Sequence, residues 1–288
     1  MPMISAGLYV VATPIGNLED LSLRAVNILQ NVNLVLAEDS RHSRKLLKHY
    51  GIHTPVLAYH DHNERQLVPE VIERIRTGKS VALISDAGTP LISDPGYKLV
   101  TAVHAEGFCI IPVPGPSALI CALSVAGLPT DRFVFEGFLP GKQHARQQRL
   151  SELEVESRTL VFYEVPHRIC SCMEDMLDCF GADRIATLAK ELTKKFETIR
   201  RGTLGDLLNW LQGDPLRQKG EFVLLVQGNS KVAANAGISE ATRVLDILLQ
   251  TLSVKDAVNI AAGILRYNKN SLYQLALELT GKKNKVSD

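Results

Sequence analysis

Short apolar runs alternate with longer stretches of helical periodicity along this chain. Residues 8–12, 33–37, 56–59, 81–84 and 108–112 are nearly all apolar. That is the pattern of strands buried on both faces. Between them, residues 21–29, 41–49, 64–76 and 97–103 repeat apolar side chains at helical spacing. The alternation resumes with strands at 133–135, 159–163, 185–189 and 221–226, an edge strand at 196–200, and helices at 142–153, 168–180 and 204–211. This predicts an α/β fold.

The glycine- and proline-rich segment 137–142 reads as a hinge between two α/β halves, giving lobes over 1–136 and 137–230. Residues 228–237 are small and polar, a linker. Beyond them the period changes. Residues 239–250, 254–265 and 270–280 read as three short amphipathic helices, a small domain over 238–281 with a helix-turn-helix flavour. Lys255, Arg266 and Lys269 are candidates for phosphate contacts there, and a packing or dimerisation appendage is the competing reading. The tail, Lys282 to Lys285, reads as disordered.

With 288 residues, 45% of them apolar and 22% charged, the chain can bury a full core. Net charge is +1, so any nucleic-acid contact must come from a local patch. Five cysteines, at 109, 121, 170, 172 and 179, include no C-x-x-C pair. They read as reduced thiols, Cys109 and Cys121 in core elements and the rest along one helix; a zinc site is not expected. The first five residues lack the basic and apolar regions of a signal peptide, and no stretch approaches a membrane span. The expected location is the cytoplasm.

The chemistry gathers where strands end, the favoured place for a ligand in a parallel sheet. The fullest exit is Ser85-Asp86-Ala87-Gly88, followed by a second acidic turn, Ser93-Asp94-Pro95-Gly96. Gly88 lets backbone approach a ligand and Ala87 leaves room for one. The plainer reading is a strand–helix turn capped by Asp94, with Pro95 first in the helix. The exit at 13–20 has Pro14 and Gly16 but no G-x-G-x-x-G, so a dinucleotide fingerprint is absent; Asp20 reads as the cap of the next helix. Glu38, Asp39, Ser40, Arg41 and His42 form a third exit, where Asp39 or Ser40 can equally be a cap. The helix after it is basic, with Arg44, Lys45 and Lys48, either a solvated face or a phosphate contact. His60 and His62 invite a metal, but no third ligand follows from spacing. Pro116 and Ser117 open a helix whose free amides can hold a polar ligand. Tyr163, Glu164 and Arg168 end one strand of the second half, and Lys190, Glu191 and Lys194 follow another. For the last tract, a solvated strand end with ion pairs is the plain alternative.

Five of these segments together resemble one family. Residues 13–18, 37–42, 85–96, 112–117 and 190–194, in that order, are similar to the bacterial 16S rRNA (cytidine-1402-2′-O) ribose methyltransferases of the tetrapyrrole methylase superfamily. The resemblance covers residues 8–227 and extends to the C-terminal helices. Ser40 stands where threonine is common in the family. The resemblance implies a two-lobed fold, S-adenosylmethionine as methyl donor in the cleft, a homodimer, and 16S rRNA of the small ribosomal subunit as substrate. It implies that Pro14, Gly16, Asp86, Ala87, Gly88, Ser117, Ala118 and Tyr163 line the donor pocket.

Methyl transfer to a ribose 2′-hydroxyl requires in-line alignment and removal of a proton. Lys190 and Glu191 are the first candidates for that base, and Asp39 and Glu38 the second. Arg41, His42, Arg168 and Lys194 are candidates to hold RNA phosphates. A small-molecule methylase instead predicts a neutral, aromatic cleft, whereas Arg41, Arg44, Lys45, Lys142, Arg146 and Arg149 fall in candidate cleft or rim segments. A non-catalytic ribosome-binding protein predicts no affinity for the donor. A dinucleotide oxidoreductase lacks its glycine fingerprint.

Overall fold

The computed structural model describes residues 4–229, 240–265 and 267–284. Most of the linker expected at 228–237, and Arg266 and Lys285, lie outside the described residues. Two compact units divide the chain: Met1–Glu154 with Arg158–Gln227, and Val155–Ser157 with Gly228–Asp288.

The larger unit holds two sheets. In the first, β1 (Gly7–Val11), β2 (Leu34–Ala37), β3 (Val56–Ala58), β4 (Ser80–Ile84) and β5 (Ile110–Val113) lie in the order β3-β2-β4-β1-β5. All four pairings are parallel, so every carboxyl end opens on one edge. The helices α1 (Leu23–Asn31), α2 (Ser40–His49), α3 (Glu64–Arg76) and α4 (Tyr97–Ala105) cover its faces. Side-chain alternation divides the work: Tyr9, Val11, Val35 and Ile84 pack under α1 and α2, while Leu8, Leu36, Val81 and Leu83 pack under α3 and α4. This is why the strand runs are apolar without interruption.

The second sheet holds β6 (Phe133–Phe138), β7 (Thr159–Glu164), β8 (Ile185–Lys190), β9 (Thr198–Thr203) and β10 (Phe222–Val226), ordered β6-β7-β10-β8-β9. Only β6 and β7 are parallel, because a short connection folds β9 back along β8, and β10 runs antiparallel between β7 and β8. Phe133 pairs with Thr159 in this sheet, so the second sheet has already begun at residue 133, and the boundary expected at 136 falls inside a strand.

One face of the second sheet is covered by α6 (Gln143–Leu153), α7 (Ile169–Phe180) and α8 (Leu204–Gln212), around Phe162, Leu188 and Leu224. Against the other face lies α5 (Ala118–Val125), which leaves β5 of the first sheet. Its Leu119, Ala122 and Leu123 share one core with Val161, Ala189, Val223 and Leu225. This helix joins the lobes and sets their spacing.

The smaller unit is built from α9 (residues 240–248), α10 (Val254–Leu265) and α11 (Lys269–Asn284) around Leu245, Ala257, Ala261, Leu272 and Ala276. Among the described residues no helix is long and apolar enough to cross a membrane.

Candidate functional site

The first sheet's exits are locked to one another. Thr13 and Gly88 exchange two backbone hydrogen bonds of 2.8 and 3.0 Å, and the Thr13 hydroxyl donates to the Ser85 carbonyl at 3.1 Å. Gly88 sits at φ 83°, a conformation that suits glycine. The Asp86 carboxylate accepts the Asp39 backbone N–H at 3.0 Å, tying the β2 and β4 exits together. Asp39 accepts the Arg41 N–H at 2.8 Å and caps α2, whose first residue is Ser40.

Two caps differ from expectation. Helix α4 starts at Tyr97 behind Gly96, because Gly96 at φ 131° can turn the chain there and Asp94 makes no cap bond. Asp94 lines the cleft instead. Helix α1 is capped by Ser22, whose hydroxyl accepts the Ala25 N–H, while Asp20 ends a 3-10 turn.

From the second lobe come the carboxyl ends of β6, β7 and β8 and the start of β10. The Tyr163 hydroxyl accepts the Leu119 N–H at 3.1 Å, bridging the lobes at the start of α5, and its ring stacks edge-on with Phe135 and Phe138. Glu164 accepts the Val165 N–H at 2.8 Å and pairs with Arg168 at 3.1 Å. Arg168 also donates to the Leu139 carbonyl at 2.6 Å, so it braces the end of β7 against the chain leaving β6.

Lys190 does not reach the cleft. Alternation along β8 turns Ala189 inward and Lys190 to the opposite face, where its ammonium donates to the Leu216 carbonyl at 3.0 Å. Its residue is 8% exposed. Glu191 accepts from Lys194 and from the Glu221 backbone N–H, both at 2.9 Å, and Lys194 also pairs with Glu221 at 2.8 Å.

These exits enclose a cleft of about 330 Å³. Its walls are Glu38, Asp86–Gly88, Thr89, Asp94, Ser117 and Ala118 from the first lobe, facing Phe138, Tyr163, Glu164, Ala189, Leu192 and Val223 from the second. A second cavity of about 320 Å³ shares Ile15, Asp86, Ala87 and Glu221 with the first. Pro14, Gly16, His42, Ser43, Lys45 and Lys194 also line it. The expected donor-pocket residues thus divide: Gly88, Ser117, Ala118 and Tyr163 line the first cavity, Pro14 and Gly16 the second, and Asp86 and Ala87 both.

Carboxylates set the electrostatics. Burial, then the Asp86 charge, holds the Glu38 carboxyl above its ordinary range. Burial, reinforced by the charges of Glu38 and Asp86, pushes Asp94 up to about 6, even though the Ser85 hydroxyl offers it a hydrogen bond. Burial also raises Tyr163 and keeps its phenol protonated, with the Asp94 charge adding to the effect. Glu191 goes the other way. Burial pushes it up, but the Glu221 amide and the Lys194 ammonium outweigh that and hold it low. Asp39 is held low by its bonds to Arg41.

Other candidates lie apart. Arg41 is exposed on α2 and bonded only to Asp39 among the described residues. Arg146 is buried against Asp175 at 2.6 Å, and Arg149 pairs with Glu136 and Glu152, so two of the expected rim bases serve α6 packing. His60 and His62 meet as edge-on rings, and no group among the described residues has a metal-binding arrangement. Cys109 is exposed; Cys170, Cys172 and Cys179 share α7 as expected.

The cleft fits a sulfonium donor by its chemistry. It pairs small and apolar walls for an adenosine-sized group with several carboxylates that favour a cation.

Comparison with known proteins places this geometry among relatives. Residues 7–208 match the family model of the Tetrapyrrole (Corrin/Porphyrin) Methylases, and residues 235–280 match the RsmI C-terminal HTH domain. The chain is 54% identical to the ribosomal RNA small subunit methyltransferase I of Pseudomonas aeruginosa over 97% of this chain and 100% of that protein. It is 47% identical to the protein of the same name from Escherichia coli O157:H7, covering 95% and 96%. In fold it is similar to the crystal structure of uroporphyrin-III-C-methyltransferase from Thermus thermophilus. That match has TM-score 0.53 and 22% identity, over 81% of this chain and 97% of the other. It is also similar to diphthine synthase, with TM-score 0.56 and 14% identity over 77% and 89%.

Proposed function

The chain belongs to the tetrapyrrole methylase family, in its ribosomal RNA small subunit methyltransferase I branch, and on that premise we propose that it methylates a ribose 2′-hydroxyl of 16S rRNA, at cytidine 1402. The observation that carries this is the near-full-length identity to ribosomal RNA methyltransferases, extending through the C-terminal helical domain. A small-molecule substrate has only the fold behind it. The basic rim expected to argue against it is weaker than the sequence suggested, since Arg146 and Arg149 are spent on ion pairs.

S-adenosylmethionine supplies an activated methyl on a sulfonium. The chain's own residues do the rest. The Asp86–Gly88 turn, Ser117, Ala118 and Tyr163 hold the donor, with Pro14 and Gly16 closing the adjoining cavity. The carboxylates offset its positive charge. Of the four expected bases, only Glu38 lines the cleft; Asp39, Glu191 and Lys190 are already bonded elsewhere. His42, on the second cavity, and Arg41, on the exposed start of α2, hold RNA phosphates, whereas Lys194, paired with Glu191 and Glu221, closes the second cavity. Arg168 acts as a brace for the cleft wall rather than as a free phosphate ligand. The protein works in the cytoplasm, as a homodimer, on the small ribosomal subunit.

The test is transfer of labelled methyl from S-adenosylmethionine to small ribosomal subunits lacking this modification, with mapping of the modified nucleotide. Label on a ribose at the expected position supports the reading; donor binding with no transfer to any RNA overturns it.

A further inference from the structure

We propose that the exposed face of α2 is a docking track for the rRNA backbone beside the target ribose, with Arg44, Lys45 and Lys48 as its phosphate ligands. The inference rests on the function proposed above and extends it beyond the cleft. Arg41, Arg44, Lys45 and Lys48 stand at i, i+3, i+4 and i+7 of one helix, so they share a single stripe about 10 Å long. Ser43, Leu46 and Leu47 fill the opposite side and are buried, the two leucines in the first lobe's core.

The charge of this stripe is not spent within the protein. On α3, Arg74 pairs with Glu70 at 2.8 Å and Arg76 with Glu73 at 2.6 Å; on α6, Arg149 pairs with Glu152 at 2.7 Å. Helix α2 has no acidic residue of its own. Its cap, Asp39, pairs with Arg41. Arg44, Lys45 and Lys48 are exposed and make no ion pair among the described residues. Arg41 with Lys45, and Arg44 with Lys48, are like charges one turn apart, which weakens a helix. The macrodipole accounts for Lys48 in the last turn but not for Arg44 or Lys45. Helix stability therefore does not explain the stripe, and an anion outside the protein does.

The face also selects its partner. Its exposed side chains, Arg41, His42, Arg44, Lys45, Lys48 and His49, are all basic. A membrane-lying helix or a protein interface needs apolar or aromatic groups at the contact, and α2 exposes none. Cations without apolar neighbours match a phosphate backbone, which supplies charge and positions a protein without reading sequence. The fold ties this track to the chemistry. At one end the Asp39 N–H donates to the Asp86 carboxylate at 3.0 Å, and Asp86 lines both cavities. At the other the Tyr50 hydroxyl donates to the Leu18 carbonyl, in the loop after β1. Lys45 lines the second cavity. Both ends of α2 are thus fastened to strand exits, and the stripe leads outward from the second cavity. A strand whose ribose reaches the cleft lays its neighbouring phosphates along this helix.

The experiment uses the full chain, S-adenosylmethionine and small ribosomal subunits lacking the modification. Subunit binding and methyl transfer are measured over a series of salt concentrations for wild type, Arg44→Gln/Lys48→Gln and Arg74→Gln/Arg76→Gln. The first variant should weaken subunit binding by about tenfold or more, and lower the slope of log affinity against log salt by about 1.4, at about 0.7 per phosphate contact on a single strand. Adding Lys45→Gln should lower the slope by about 0.7 again. Donor affinity, by calorimetry, should match wild type. The urea midpoint of Arg44→Gln/Lys48→Gln should hold or rise, because a like-charge pair is relieved. Arg74→Gln/Arg76→Gln removes the same net charge from paired sites and should leave the salt slope at the wild-type value. An unchanged slope in Arg44→Gln/Lys48→Gln overturns the assignment, and so does an equal change in Arg74→Gln/Arg76→Gln, which would reduce the effect to net charge. Should the double variant fold poorly, Lys48→Gln alone decides, by a slope lowered by about 0.7 or unchanged. A wild type that transfers no methyl to any RNA takes down the proposed function and this surface together, whereas transfer and salt slope undiminished in Arg44→Gln/Lys48→Gln remove the surface alone.

Discussion

In the first lobe Glu38, Asp86 and Asp94 line the cleft, and no basic side chain among the described residues pairs with any of them; in the second lobe Glu164, Asp175 and Glu191 each hold an arginine or lysine. The consequence is opposite in sign. Glu38 and Asp94 are raised by burial and by repulsion from neighbouring carboxylates, Asp86 acting on both. Asp175 and Glu191 are pushed up by burial, but hydrogen bonds and cations outweigh it and hold them low. The topology makes this division natural. An all-parallel sheet sends every strand exit to one edge, so its polar loops crowd together there. The mixed sheet offers a broad apolar face to α5 and the cleft, and uses its charges to fasten helices and loops. One lobe therefore stores reactive charge, and the other supplies shape.

The largest test breaks the second lobe's side of that contrast. Arg146 and Asp175 are 4% and 2% exposed, and Gln143 and Gln147 complete the carboxylate's bonds. Arg146→Ala leaves a buried charge uncompensated and should cost about 3–5 kcal/mol in urea unfolding. Glu38→Gln removes a carboxylate that burial and repulsion already disfavour, so its urea midpoint should hold or rise. A smaller loss for Arg146→Ala than for Glu38→Gln would reverse the assignment of structural and reactive charge.

Gly16 tests the seam between the lobes. It sits at φ 151°, and a Cβ would lie 2.4 Å from the Lys194 Cγ. Gly16→Ala should cost about 1–3 kcal/mol from backbone strain, and displacing Lys194 should loosen its pairs with Glu191 and Glu221. Donor affinity should fall alongside the urea midpoint. An unchanged affinity with a lowered midpoint would show that the second cavity takes no part in donor binding.

Acid sharpens the comparison without any mutation. The folded state holds a proton on Asp94 up to about pH 6, whereas an unfolded aspartate releases it near its ordinary value. Its contribution is present below the unfolded value and lost as pH rises through 6, so urea stability should climb as pH falls from 7 toward 5. Asp175 and Glu191 contribute the reverse: stability present above the unfolded carboxylate range and lost as pH falls through their lowered values. The profile should pass through a maximum on the acid side of neutrality. Asp94→Asn should flatten the rise and spare the acid loss; parallel profiles for the two proteins would refute the Asp94 part.

Much of this was legible in the sequence, for stated reasons. The strands announced themselves because both sheets bury both faces, and the exits were found because glycine, proline and acid cluster at their ends. What failed was direction. Period-two alternation says that Ala189 and Lys190 point opposite ways, but not which faces the cleft; that depends on α5 covering one face and α8 the other. Asp94 was visible yet read as a cap, because Asp followed by Pro resembles a helix start. The true start depends on Gly96 adopting φ 131°, which no local pattern announces. Likewise, the basic side chains at 146 and 149 look solvent-facing until Asp175 and Glu136 are seen beside them.

Asp39, like Glu64 with its Lys98 partner, is an exception in the first lobe, and it gives the smallest expected effect. It is an acid at a strand exit, but it behaves like those of the second lobe: paired with Arg41, held low by that pairing, and bonded to the Arg41 N–H as the cap of α2. If its work is the cap, serine can do it, because a hydroxyl accepts the same kind of N–H bond. Asp39→Ser should keep methyl transfer within about twofold of wild type, whereas Asp39→Ala should lose helix stability first and activity only through it. If its work is proton transfer, serine fails along with alanine, and the division between the lobes must be redrawn with Asp39 beside Glu38 in the reactive set. Single-turnover rates for the two variants at neutral pH, read against their urea midpoints, separate the cases.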